Sequence, residues 1–338
     1  MSDITTTDYH TGGEPFRIVT GGVPPLHGRS VPERRRWAAA NVDEIRQLLV
    51  NEPRGHADMY GGFVTPPDDG DGDLGVVFFH NEGYSTACGH GTIALVTWAI
   101  ESGRVVAPPG AHEVQVTVDV PSGRLACTAR LDGYGRVETV SFRNVPSFVL
   151  ARDVRLGTRR GSVTLDVAFG GAFYGSLDVR HLGLRIEAHA LPDLIALQRE
   201  LRPALARALE VVHPDQPELA GIYGVIFWEP VESVEDAEPT QRNVTVFADG
   251  EVDRSPCGSG TSARLAILHD RGDLAIGQTL RHRSIVDSVF DGRVVGVGPA
   301  IGDHASVITE VEGSAFRIGE HTFTLDKRDP LGRGFLLR

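Results

Sequence analysis

One short glycine-rich pattern occurs twice in this chain, once in each half, and both copies begin with a cysteine. The copies are Cys88–Ala94 and Cys257–Ala263, and both fit Cys-Gly-x-Gly-Thr-x-Ala. A further glycine lies fifteen residues after each cysteine, at Gly103 and Gly272. Glycines at both ends of an apolar run are typical of a turn that leads into a buried helix. The repeat therefore predicts a duplicated fold that brings two thiols to one site.

The composition excludes several classes of protein. Three cysteines in 338 residues are too few for a disulfide framework, and no Cys-x-x-Cys or His-Glu-x-x-His pattern predicts a metal site. The formal net charge of −12 argues against nucleic acid or an anionic membrane as a partner. The first ten residues are polar and the longest apolar run, Ile93–Ile100, is too short to span a bilayer. We therefore expect a cytoplasmic protein without a signal peptide.

Short strands outnumber helices in the predicted secondary structure. Glu113–Val120 alternates apolar and polar residues and returns as Arg124–Arg130, which predicts a hairpin. The dipeptide Asp291-Gly292 predicts a second hairpin between Ser284–Phe290 and Arg293–Val297. These patterns favour sheets built mostly from antiparallel strands.

The predicted helices are few. Gly91–Glu101 and Thr261–His269 follow the two cysteines and are apolar almost all round, which indicates buried helices. Pro192–Val212 is a longer helical region that we expect Pro203 to break into two pieces. The repeat spacing predicts two domains: a first domain of residues 1–147 with 315–338, and a second domain of residues 148–314.

A cysteine directly before a helix points its sulfur at the positive end of the helix dipole, which lowers the pKa of a thiol. Free N–H groups of the first helical turn can bind a carboxylate. Two such turns facing each other would place one sulfur on each side of a bound amino acid. That arrangement suits removal of an α-proton from one face and return of a proton to the other, without a cofactor.

Five segments resemble conserved segments of the proline racemase family. Thr86–Gly91 and Asp253–Thr261 look like its two active-site signatures. Asp8–Pro15, Glu52–Met59 and Asp329–Gly332 extend the resemblance over most of the chain. The family includes 4-hydroxyproline epimerases and trans-3-hydroxy-L-proline dehydratases. The resemblance therefore implies an enzyme that acts on a small imino acid, proline or a hydroxyproline.

The resemblance also implies a fold and a set of site residues. The fold is the α+β architecture of diaminopimelate epimerase-like proteins: two related domains, each a curled, mostly antiparallel sheet around a central helix, with the active site at their interface. The C-terminal strand is expected to return to the first domain. Cys88 and Cys257 would be the acid/base pair, and His90 and Asp253 would lie near the ring nitrogen. Four residues would hold the carboxylate, chiefly through backbone N–H groups: Gly89, His90, Gly258 and Ser259.

The residue at position 257 separates two reactions in this family. The dehydratases keep the first cysteine but typically carry Thr or Ser at the second, because elimination needs one base. Cys257 therefore favours a racemase or epimerase acting at Cα of proline or 4-hydroxyproline. The alternative is a trans-3-hydroxy-L-proline dehydratase with Cys88 as its base. His80–Ser85 and Arg242–Asp249 resemble that branch, and Ser259 stands where the epimerases more usually carry Thr.

Two further functions compete with these. Cys88 and His90 could form a thiol–imidazole pair for acyl transfer. Residues two apart at a helix start seldom point at each other, however, and Cys257 would then have no role. A non-enzymatic imino-acid-binding protein is the other alternative, and the intact cysteines and glycines argue against it. The sequence does not fix the oligomeric state, so both a monomer and a homodimer stay open.

Overall fold

A computed structural model describes residues 3–232 and 238–337. Contacts between residues divide this part of the chain into two compact units. The first unit takes in the residues up to Phe142 together with those from Ser314 onward, and the second unit is Arg143–Gly313. None of the described helices combines the length and the apolar composition that a membrane-spanning helix needs.

The regular elements are numbered in chain order. The α-helices are α1 (Val31–Asn41), α2 (Asp43–Val50), α3 (Gly89–Glu101), α4 (Leu191–Ala208) and α5 (Gly258–Arg271). The first strands are β1 (Ile4–Thr11), β2 (Glu14–Gly21), β3 (Tyr60–Thr65), β4 (Leu74–His80), β5 (Glu113–Val120), β6 (Gly123–Leu131), β7 (Val137–Arg143) and β8 (Ser147–Thr158). The others are β9 (Gly161–Phe169), β10 (Phe173–Asp178), β11 (Ile222–Pro230), β12 (Thr240–Phe247), β13 (Glu251–Asp253), β14 (Thr279–Arg283), β15 (Val289–Val297), β16 (Ser306–Gly313) and β17 (Ala315–Phe323).

The first unit is a mixed sheet packed on α3. β1 pairs antiparallel with both β2 and β17, so the last strand returns to this unit as expected. β3 lies parallel to β2 and antiparallel to β4, and β5 lies parallel to β4. β5 and β6 form the predicted hairpin, in which Val120 pairs with Gly123. Helices α1 and α2 pack with their own apolar cluster on this unit, which includes Leu49, Phe63 and Phe79.

The second unit is a sheet that closes on itself around α5. From β8 the strands run antiparallel through β9 to β10, then parallel to β11 and antiparallel to β12. β12 lies parallel to β14, which leads antiparallel through β15 to β16. β16 pairs antiparallel with β8 through Ser306 and Phe148, and this pairing closes the ring.

The helix that follows each motif cysteine is the core of its unit. Every residue of Gly89–Ile100 in α3 and of Gly258–Leu268 in α5 is buried. A helix without a polar face can be stable in water only when other elements surround it, and the strands supply that cover. The prediction of two buried central helices is therefore confirmed.

Two local predictions are wrong. Asp291 and Gly292 lie inside β15, and the turn falls earlier, where Ser284 N–H donates to Ser288 O and Asp287 has φ +64°. Gly292 is needed for packing, because a Cβ there would lie 2.9 Å from Thr261 Cγ2 of α5. Gly292 therefore allows α5 and β15 to pack closely together, and it does not form a turn.

Pro203 also does not divide its helix. α4 continues through it from Leu191 to Ala208. The buried residues of α4 fall at helical spacing on both sides of the proline: Leu194, Leu197, Leu201 and Leu205. Burial of this continuous face outweighs the local cost of an interior proline, about 3 kcal/mol.

Candidate active site

Cys88 is the N-cap of α3, and its sulfur folds back over the first turn of the helix. Its backbone is extended, with φ −155° and ψ 95°. The N–H of Gly91 donates to Cys88 Sγ at 3.3 Å. The N–H and the hydroxyl of Thr92 both donate to the Cys88 carbonyl, each at 2.9 Å. The thiol is thus fixed beside the positive end of a buried helix.

Cys257 has the same relation to α5. It is the N-cap residue, and the N–H of Thr261 donates to its carbonyl at 2.7 Å. Its backbone differs from that of Cys88, because φ is +63°, in the left-handed region that non-glycine residues rarely adopt. Each sulfur is almost buried, with 6% of the residue exposed in both cases.

The second glycine of each motif makes room for the sulfur. A Cβ at Gly91 would lie 2.7 Å from Cys88 Sγ, and a Cβ at Gly260 would lie 2.9 Å from Cys257 Sγ. A Cβ atom essentially never approaches another non-bonded atom to less than 3.0 Å. The motif Cys-Gly-x-Gly therefore specifies a place for the thiol against the helix backbone.

His90, the first variable residue of the first motif, contacts the thiol of Cys88. Its Nε2 lies 3.5 Å and its Nδ1 3.6 Å from Cys88 Sγ. The rings of Phe16 and Tyr60 meet the imidazole edge-on at centroid distances of 5.9 and 5.0 Å. The expectation that Cys88 and His90 point apart is therefore wrong, because the extended N-cap turns the cysteine side chain back over the residue two positions on.

Ser259 occupies the corresponding position beside Cys257. Its hydroxyl lies 3.9 Å from Cys257 Sγ and 2.7 Å from the hydroxyl of Tyr174, which comes from β10. Tyr174 is 1% exposed, and its ring packs in the same apolar cluster as Cys257. In both motifs the first variable residue therefore lies against the sulfur.

Asp253 holds the backbone that leads into Cys257. Its Oδ1 accepts from the N–H of Ser255 at 2.8 Å and from the Ser255 hydroxyl at 2.7 Å. The Ser255 hydroxyl oxygen in turn accepts from the N–H of Cys257 at 3.1 Å. Burial raises the pKa of Asp253 to about 6, although its hydrogen bonds from Ser255 act in the opposite direction.

Burial also raises the pKa of the Cys257 thiol well above its usual value, and the nearby Asp253 carboxylate adds to this rise. The N–H of Gly260 and the hydroxyl of Thr245 lower the pKa, but by less. The expectation of a lowered pKa is therefore wrong for Cys257. Loss of hydration on burial outweighs the helix dipole and favours the neutral thiol, which is a proton donor, over the thiolate.

The first turns of α3 and α5 also present hydrogen-bond donors. Among the described residues, no protein group accepts from the backbone N–H of Gly89, Gly258 or Ser259. Such N–H groups at a helix start can hold a carboxylate. The described residues hold no group of three His, Cys, Asp or Glu side chains placed to bind a metal ion.

Sequence reasoning missed several residues that shape the two turns. Phe16, Tyr60 and Tyr174 come from strands far from the motifs in sequence, and no local pattern marks them. Ser255 lies inside the second signature and could have been found, since a serine two residues after an aspartate is typical of a side-chain-capped turn.

Comparisons with known proteins agree with the resemblance. The Proline racemase family model matches residues 6–336. Trans-3-hydroxy-L-proline dehydratase from Burkholderia cenocepacia (strain HI2424) is 48% identical over 336 residues, which cover 99% of this chain and 98% of the relative. 3-hydroxyproline 2-epimerase from Burkholderia multivorans is 47% identical over 336 residues, with the same two coverages.

Solved structures give the same result for the fold. A hydroxyproline epimerase from Agrobacterium vitis, with bound trans-4-hydroxy-L-proline, has a TM-score of 0.90 at 33% identity and covers 100% of this chain and 95% of its own. A PhzF-family phenazine biosynthesis protein from Bacillus anthracis has a TM-score of 0.60 at 12% identity, over 96% of this chain and 100% of its own, and shares the fold alone. The predicted α+β, diaminopimelate epimerase-like fold is confirmed.

Proposed function

Because the chain belongs to the proline racemase family, we propose that it is a cofactor-independent epimerase that inverts Cα of a hydroxyproline by proton transfer between Cys88 and Cys257. The observation that carries the proposal is the second thiol: a cysteine begins the buried helix of both units. The proposal requires that both sulfurs reach one substrate, on opposite faces of Cα.

The two thiols would have different resting roles. Burial keeps Cys257 protonated, so it would be the acid that supplies a proton to Cα. Cys88, with the His90 imidazole 3.5 Å from its sulfur, would be the base that removes the proton from the other face. After one turnover Cys88 carries the proton taken from the substrate and Cys257 is a thiolate, and the reverse reaction restores the first state.

Backbone N–H groups would stabilise the negative charge that develops during the reaction. When the α-proton leaves, electron density moves from Cα onto the carboxylate oxygens. The N–H groups of Gly89, Gly258 and Ser259 would donate to those oxygens, together with the N–H of His90. His90 and Asp253 would lie near the substrate ring nitrogen.

The relatives make 3-hydroxyproline the first substrate to test. The sequence alone favours proline or 4-hydroxyproline, but relatives at 47–48% identity are named for reactions of 3-hydroxyproline. The structural neighbour that binds trans-4-hydroxy-L-proline is more distant, at 33% identity. Inversion of trans-3-hydroxy-L-proline at Cα would give cis-3-hydroxy-D-proline.

Dehydration of trans-3-hydroxy-L-proline is the second candidate, and the name of the Burkholderia cenocepacia relative favours it. In this substrate the Cα–H and the 3-hydroxyl lie on the same ring face. Cys88 could therefore remove the α-proton and return it to the departing hydroxyl as water, leaving a C2–C3 double bond that isomerises to the cyclic imine. Cys257 would not be needed.

Product analysis separates the two reactions. Purified protein is incubated separately with L-proline, trans-4-hydroxy-L-proline and trans-3-hydroxy-L-proline, and the products are resolved by chiral chromatography. The proposal predicts a C2 epimer, and its loss, by at least about a thousandfold in kcat, in both Cys88→Ser and Cys257→Ser. Cys127→Ser is the matched control, since this buried thiol lies on β6 outside both motifs. An imine formed as well by Cys257→Ser as by the unmodified protein would instead establish the dehydratase.

A further inference from the structure

A tyrosine outside both motifs is connected by hydrogen bonding to the second thiol. The Tyr174 hydroxyl lies 2.7 Å from Ser259 Oγ, and Ser259 Oγ lies 3.9 Å from Cys257 Sγ. All three residues are buried. In the described part of the chain, the Tyr174 hydroxyl makes no other hydrogen bond.

We propose that Tyr174 is a positioning residue for Cys257: its hydroxyl orients the Ser259 hydroxyl, which stabilises the Cys257 sulfur when that sulfur has given up its proton. The contribution to catalysis rests on the proposed function. The effect on the thiol itself does not, because it follows from the contacts within the second unit alone.

The direction of these hydrogen bonds depends on the sulfur. A thiolate can only accept, so the Ser259 O–H must point at Cys257 and its oxygen must accept from Tyr174. A neutral thiol can donate, so the same contacts can reverse, with Ser259 donating to Tyr174. The two hydroxyls and the sulfur can therefore form all of their mutual hydrogen bonds in two arrangements. One arrangement fits the thiolate of Cys257 and the other fits the neutral thiol.

Without Tyr174 the serine hydroxyl loses the partner that orients it. A buried hydroxyl rotates to the best available acceptor. The other groups that act on the sulfur are the Asp253 carboxylate, which opposes the thiolate, and the Gly260 N–H and Thr245 hydroxyl, which favour it. A Ser259 hydroxyl that is no longer held by Tyr174 would point away from the sulfur part of the time, which leaves the thiolate with fewer donors.

The ring of Tyr174 has a structural role that a phenylalanine would keep. It packs in the apolar cluster with Ala168, Ile226 and Ile267, and its ring meets that of Tyr223 edge-on at 5.8 Å. Tyr174→Phe removes only the hydroxyl. Tyr223→Phe is the matched control, because it removes a hydroxyl from the neighbouring ring, outside the chain of hydrogen bonds to Ser259.

The test is the rate at which Cys257 is alkylated. Full-length protein is treated with iodoacetamide at pH 8.5, and the Cys257 peptide is followed by mass spectrometry. Loss of one hydrogen bond to the thiolate should raise the pKa of Cys257, which slows alkylation about two- to fourfold. We expect this slowing in Tyr174→Phe and in Ser259→Ala, and the unmodified rate in Tyr223→Phe.

The opposite results would overturn the proposal. If Tyr174 has a merely structural role, alkylation should become faster, since loosened packing exposes the sulfur. If Tyr174 has no role at all, the alkylation rate should stay unchanged. Either result rejects the inference. The alkylation measurement does not need enzymatic activity. An inactive unmodified protein would reject the proposed epimerase, and the alkylation rates would still decide whether Tyr174 positions Cys257. In an active enzyme we also expect Tyr174→Phe to lower kcat with KM within about twofold of its original value.

Discussion

The conformation of Cys257 is held against its own preference. A non-glycine residue at φ +63° costs about 1–2 kcal/mol, and strain of this kind persists only where neighbours enforce it. The enforcing contacts are the hydrogen bonds from Cys257 N–H to Ser255 and from Ser255 to Asp253. Cys88 reaches a similar place from an ordinary extended backbone. The two thiols are thus placed by different local means at the same point of two similar helices.

A methyl group at Gly260 should displace the sulfur. In Gly260→Ala the new carbon would start 2.9 Å from Cys257 Sγ, so the thiol must move by several tenths of an ångström. Catalytic geometry tolerates little misplacement, and we expect kcat to fall about a hundredfold or more. The control is Gly157→Ala, where a Cβ would meet nothing within 4 Å. Steady-state assays that found equal kcat in the two variants would contradict this account of the motif.

The contribution of Asp253 to stability should fall as pH rises through the range in which Asp253 ionises. Burial raises its pKa from 3.8 to about 6, so between these values the folded chain binds a proton that the unfolded chain has released. The contribution of Asp253 to stability therefore decreases with increasing pH in this window, by about 3 kcal/mol in total. Asp253→Asn removes this contribution while Oδ1 still accepts from Ser255.

The corresponding measurement is the difference in Tm between Asp253→Asn and the unmodified protein. We expect the variant to gain in relative Tm from pH 4 to pH 7 and then to level off. A difference that stays constant over this range, or that moves in favour of the unmodified protein, would show that Asp253 is ionised in the folded state throughout.

Some helices and strands follow from local sequence patterns, whereas others depend on the surface against which they pack. The hairpin of β5 and β6 and the buried helices after the cysteines follow from alternation and apolar content. Helix α1 was missed although Ser30 caps it by accepting from Glu33 N–H, a pattern visible in the sequence. The continuous α4 and the interior position of Gly292 could not be predicted, because each depends on the surface against which it packs.

The start of α5 should depend on one buried hydrogen bond to a strand. Thr261 Oγ lies 2.8 Å from His282 Nδ1 on β14 and 3.1 Å from the Pro256 carbonyl. Burial lowers the pKa of His282 to about 3, so the imidazole is neutral at pH 7. Thr261→Val would leave a buried ring nitrogen and a carbonyl without this partner, and we expect a loss of about 1–3 kcal/mol in denaturant unfolding. Thr261→Ser keeps the hydroxyl and should lose clearly less; equal losses would reject this explanation.

At the scale of the whole molecule, the repeat in the sequence corresponds to two units with one buried helix each. The motif identifies both thiols because its residues contact each other within one helical turn. The order of these residues in the sequence is therefore enough to predict the contacts. The motif could not identify Phe16, Tyr60 or Tyr174, because these reach His90 and Ser259 from strands whose positions only the complete sheets determine. The motif also predicts a lowered pKa for the Cys257 thiol from the helix dipole alone, since burial cannot be judged from a local pattern.

Deuterium incorporation at Cα tests the two-thiol mechanism most directly. Trans-3-hydroxy-L-proline is incubated with the protein in D₂O and followed by proton NMR at early times, with L-proline and trans-4-hydroxy-L-proline in parallel. Each thiol carries a single exchangeable proton, so the removed proton stays on one sulfur and the product receives a deuteron from the other. We predict a C2 epimer that is deuterated at Cα from the first turnovers, while the remaining substrate keeps its proton. An epimer that retains protium, or an imine as the sole product of every substrate, would contradict the account.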